Sequence, residues 1–98
     1  REPTLYASQG YDTAKLIASA LKATGGKIME DKAGFREALK AAKFASVRGN
    51  FRFASNQHPI HDLYLREVVK NNGQMQNRIL RKVATDHQDA YVKECGLR

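Results

Sequence analysis

Three short runs in this sequence hold residue types that could do chemistry. His58-Pro59-Ile60-His61, with His87 further on, offers two imidazoles on one loop that could share a Zn²⁺. No thiol or carboxylate completes that set at a familiar spacing, so the histidines read as loop residues holding backbone carbonyls. Arg48-Gly49-Asn50-Phe51-Arg52-Phe53 joins a basic residue, a glycine and alternating aromatics, the make-up of a strand that stacks unpaired RNA bases. Asn50 stands where that pattern wants an aromatic, and two Phe on alternate strand positions are core residues far more often than base platforms. Cys95 lies next to Gly96, away from any helix N-terminus that would lower a thiol pKa. Asp86 and Asp89 share the start of an expected helix, where carboxylates complement the dipole. There is no glycine-rich phosphate loop between a strand and a helix. These residues point to no enzyme, no metal site and no cofactor.

The elements that must position them fit one small domain of 98 residues. Hydrophobic residues make up 42% and charged residues 28%, which excludes a disordered chain, and no apolar run is long enough for a membrane helix. The chain opens on Arg1 and shows no basic-then-apolar leader, as expected of a processed product or an excised piece. Seventeen Lys and Arg face ten carboxylates, for a net charge of +7. Such a field favours anionic partners, nucleic acid among them, but the charges are scattered and read as a solvated surface.

Apolar residues at helical spacing (Ala14, Ile17, Ala18, Leu21), with Leu16 and Ala20 widening the face, predict a first helix over about 8–24, capped by Ser8 or Asp12 and stopped at Gly25-Gly26. A second helix is expected over about 32–43 behind Asp31, with Phe35, Ala38, Leu39 and Ala42 as its stripe. The period then changes to two: a strand over 47–53, a loop over 54–62, and strands over 63–70 and 74–83 joined by Asn71-Asn72-Gly73. Thr85 and Gln88 stand at capping-box spacing and predict a short helix over about 86–95. The expected organisation is therefore a helical part (8–43), a strand and hairpin part (47–83) and a terminal helix (86–95), an α+β arrangement.

Read in order, these segments resemble a known family. Leu5-Tyr6-Ala7-Ser8-Gln9-Gly10-Tyr11-Asp12-Thr13-Ala14 leads into an Ala/Leu helix ending in Gly-Gly. Phe35-Arg36-Glu37-Ala38-Leu39 and Val47-Arg48-Gly49-x-Phe51-x-Phe53 follow, then Asn56-x-His58-Pro59-Ile60 and Asp62-x-Tyr64-Leu65-Arg66-Glu67-Val68-Val69. The chain closes on Asp86-His87-x-Asp89-Ala90-Tyr91. Their collinear order is similar to the late segment of type I periplasmic solute-binding proteins, which serve ABC importers of branched-chain amino acids and aromatic acids.

The resemblance implies a C-terminal fragment of a two-lobed α/β receptor that closes on a ligand at its hinge. It implies a periplasmic location, a small solute (an amino acid or an aromatic carboxylate) and ABC permease subunits as partners. It also implies a truncated leader and the absence from this stretch of most residues that grip the ligand. By position in the family, Tyr6 reaches the cleft, where its ring could wall in an apolar or aromatic group. Gln9 and Tyr11 are weaker candidates on the same edge. Because the sheet that would cover both helices lies outside the chain, the isolated piece is expected to form a homo-oligomer. The rival from another class is a small basic nucleic-acid-binding domain.

Overall fold

The computed structural model describes residues 3–97. Helix α1 (Leu5–Ala23) starts one turn earlier than its stripe suggests, because Thr4 caps it by accepting from the Ala7 N–H (3.3 Å). Ser8 and Asp12, the expected caps, therefore lie inside the helix. Gly25 and Gly26 end it as expected, at positive φ, with the Gly26 N–H donating to the Leu21 carbonyl (2.8 Å). Helix α2 (Lys32–Ala41) begins at Asp31, whose carboxylate accepts from the Gly34 N–H (2.9 Å), and stops at left-handed Ala42.

The chain then builds a three-stranded antiparallel sheet in the order β1-β2-β3, from β1 (Arg52–Phe53), β2 (Pro59–Asn71) and β3 (Gln74–His87). Asn72 and Gly73 take φ of 47° and 81°, the left-handed pair that a two-residue hairpin turn requires. Three expectations change here. The strand expected over 47–53 shrinks to two residues, because 46–49 is drawn into a tight turn against α1. The segment expected as a loop to residue 62 enters β2 at Pro59. The terminal helix expected over 86–95 does not form: pairing continues to His61↔His87, and residues 90–94 make only turns. Its first N–H groups were claimed elsewhere, since the Asp86 N–H donates to Asp62 Oδ1 (3.0 Å) and the Asp86 carboxylate pairs with Arg52 (2.9 Å).

The core is small. Among the described residues only Ala20, Ala42 and Ile60 are buried hydrophobics, beside three buried polar residues, Asp12, Asn56 and Asp62. The structure covers one margin of the broad apolar face expected on α1, where Ala20 is buried and Leu16 and Leu21 are half-buried. Leu16, Ser19 and Ala20 turn inward with Asp12, whereas Ala14, Ile17 and Ala18 remain exposed. Phe44, Phe51 and Phe53 meet in sequence, with successive ring centroids 5.2 Å apart, the first pair tilted and the second edge to face.

Candidate functional site

Asp12 organises the site. It is 2% exposed and collects three donors: Ser46 Oγ (2.6 Å) and Arg48 Nε (2.9 Å) on Oδ2, and the Val47 N–H (3.0 Å) on Oδ1. Burial acts to raise its pKa, but the hydrogen bonds from Ser46, Arg48 and Val47 and the Arg48 charge outweigh it, and the net shift is downward. The aspartate thus holds the 46–48 backbone and the Arg48 guanidinium against α1. Gly49 follows at φ 92°, and a Cβ there would stand 3.5 Å from the Tyr64 hydroxyl.

A second buried carboxylate, Asp62, stands at the base of the hairpin. Lys82 Nζ (2.5 Å), the Asp86 N–H and the Tyr64 hydroxyl (3.4 Å) converge on it. The Lys82 hydrogen bond does most to lower the Asp62 pKa, and Asp62 in turn raises that of Lys82. Beside Asp62 lies a cleft of about 570 Å³, bounded by Leu5 and Ser8 of α1, the 47–49 turn and the hairpin residues Tyr64, Arg66 and Ile79. A smaller cleft of about 250 Å³ lies on the other side of Arg48, against Gln9, Leu16 and the three phenylalanines.

The residues singled out in the sequence are scattered across these features. Gln9 borders the smaller cleft. Tyr6 is 79% exposed, and Tyr11 carries the Lys15 ammonium over its ring at 5.6 Å. Gln9 and Tyr11 stand two residues apart on α1, roughly 200° around its axis. Phe51 and Phe53 face each other edge to plane, which engages the rings a base would need. His61 Nδ1 meets the Asp62 carbonyl (3.0 Å), and His58 lies 3.4 Å from Asp89, which also accepts from buried Asn56 (2.8 Å). Among the described residues no three His, Cys, Asp or Glu come together as metal ligands. Asp12 and Asp62 were missed as organisers. The available signal was Asp12 itself, an acid four residues before Leu16 on a helix whose other acidic positions are empty.

A family model described as periplasmic binding protein matches residues 1–74. The chain belongs to the periplasmic binding protein family. A solved structure of an ABC transporter solute-binding protein from R. palustris, in complex with benzoate, is similar at 33% sequence identity and a TM-score of 0.70. The match covers 87% of this chain and 22% of that one, so the chain spans about a fifth of the solved binding protein's length. A search of the curated proteins finds no match. The family match runs from α1 to the hairpin turn and takes in Asp12, the 46–49 turn and Asp62. No helix among the described residues is long and apolar enough to cross a membrane.

Proposed function

We propose that this chain is the C-terminal part of a periplasmic receptor that captures a small organic solute and delivers it to an ABC permease. The observation that carries the reading is the likeness, at 33% identity over 87% of the chain, to a solute-binding protein whose structure holds benzoate. The receptor acts by capture, with ligand contacts favouring a closed state over an open one, and performs no chemistry on its solute. Tyr6, exposed on α1, contributes an aromatic wall to the ligand cleft of the complete receptor, with Gln9 and Tyr11 as lesser contacts.

The 98 residues alone form only one wall of such a cleft and cannot desolvate a ligand from both sides. Calorimetry with amino acids and aromatic carboxylates is the test. The isolated chain should show no site tighter than about 1 mM, and a receptor carrying the remaining lobes should bind its solute far more tightly. A micromolar site in the 98 residues, or no organic solute bound by the complete receptor, defeats the reading. The exposed side of α1 and the free edge of β3 also favour self-association of the isolated chain. Light scattering at low micromolar concentration should then give a dimer, and a monodisperse monomer with a cooperative melt refutes it.

A further inference from the structure

The tip of the hairpin carries an unprotected amide. Asn72 and Gly73 are both exposed and form the two-residue turn at φ of 47° and 81°. The Asn72 side chain and the Gly73 N–H have no hydrogen-bond partner among the described residues. Gly73 has no side chain to screen its nitrogen, and nothing lies within 4 Å of the position a Cβ would take. The Gly73 nitrogen and the Asn72 side-chain carbon are held in one chain, so a rotation replaces an encounter between them. The other four asparagines each lack one of these conditions. Asn56 is buried, donates to Asp89 (2.8 Å) and accepts from the His58 N–H (3.2 Å). Asn71 donates to Gln76 Oε1 (3.3 Å), and Asn77 is paired with Val68 within the ladder. Asn50, Asn71 and Asn77 are followed by Phe51, Asn72 and Arg78, whose side chains crowd the backbone nitrogen in a way glycine does not.

We propose that Asn72 is a modification site, deamidated spontaneously with water as the only co-reactant. Hydroxide removes the Gly73 amide proton, and the nitrogen attacks Asn72 Cγ. The bond from Cγ to the side-chain nitrogen then breaks, and ammonia leaves with a proton taken from water. The cyclic imide that remains adds water at one of its two carbonyls and opens to aspartate or to isoaspartate. In sum, one amide and one water become one carboxyl group and one ammonia. The two products act differently on the fold. Asp-Gly suits the same left-handed turn as Asn-Gly, so aspartate keeps the hairpin. Isoaspartate routes the main chain through Cβ, and the added backbone atom does not fit a two-residue turn closed by the pair Asn71↔Gln74. Closing the imide rotates Asn72 out of its turn conformation, so the rate follows opening of the tip.

The test is incubation of the 98-residue chain at mildly alkaline pH, with peptide mapping that counts aspartate and isoaspartate separately. A synthetic peptide of residues 68–77, too short to hold a hairpin, gives the rate without the fold. In the chain, Asn72 should convert at least about 10-fold faster than any other asparagine, a barrier lower by about 1.4 kcal/mol. Asn72→Gln, which would have to close a larger ring, should abolish conversion at this position. In ¹⁵N spectra the isoaspartyl form should shift the amides of 69–71 and 74–76, whereas Asn72→Asp should leave them near their original positions. Conversion led by another asparagine overturns the proposal. So does an intact Asn72 in the chain after the peptide has reacted to completion, or an unchanged rate of ammonia release in Asn72→Gln. An isoaspartyl form whose hairpin amides do not move overturns the stated effect on the turn.

Discussion

The helical half and the hairpin half each bury one aspartate, and they use it differently. Asp12 joins α1 to residues 34 to 36 positions away, and its main partner, Arg48, is itself mostly buried, with a side chain 16% exposed. Asp62 joins strands already bound by a long antiparallel ladder, and its partner Lys82 is 43% exposed. Where buried apolar residues are few, as in the helical half, whose buried hydrophobics among the described residues are Ala20 and Ala42, a polar clip must fix the geometry. Where thirteen- and fourteen-residue strands pair, the clip refines a structure the backbone already holds.

This contrast can be broken by substitution, and the largest effect should come from Asp12→Asn. The amide keeps the shape but removes the charge that compensates Arg48, and breaking a buried pair from one side costs about 3 kcal/mol. Urea unfolding should show that loss, with Asp62→Asn costing distinctly less because Lys82 can turn to water. Equal losses would erase the distinction between the two halves.

Acid should dissolve the clips without mutation. Both aspartates have folded-state pKa values below their unfolded ones. Their contribution is therefore fully present above the unfolded carboxylate pKa of about 3.9, and is lost as pH falls through the folded values. Thermal melts should stay level from neutral pH to about 5 and then decline, with Asp12→Asn showing a shallower fall. A parallel decline in the variant would assign the acid sensitivity to other carboxylates.

Gly49→Ala sharpens the comparison at the turn that Asp12 holds. At φ 92° a side chain is strained, and the loss should be about 1–2 kcal/mol by the same denaturant measurement. The smallest effect belongs to Tyr6→Ala. As an exposed residue outside both clips it should shift unfolding by no more than about 0.5 kcal/mol, while weakening solute binding in the complete receptor. A loss above about 2 kcal/mol with affinity intact would make Tyr6 a packing residue.

What the sequence determined by itself was local. Both helices, the Gly25-Gly26 stop, the Asp31 cap and the Asn72-Gly73 turn follow from spacing and backbone preference within a few residues, and the collinear segments were enough to show the family. Tertiary structure decided the rest, because each outcome was a competition between distant partners. Asp12 was free to cap a helix until Ser46, Val47 and Arg48 offered it three donors, and that capture turned a would-be strand into a tight turn. Asp86 could have opened a helix until Asp62 and Arg52 claimed its N–H and carboxylate, which kept β3 extended to His87. Periodicity marked a broad apolar face on α1, from Ala14, Ile17, Ala18 and Leu21 to Leu16 and Ala20, but only the fold decided that the Leu16–Ala20 margin would be covered. The covered side carries Asp12, since a charge with three hydrogen bonds and a paired arginine is satisfied when buried, whereas an apolar stripe can be buried only against a surface that packs on it.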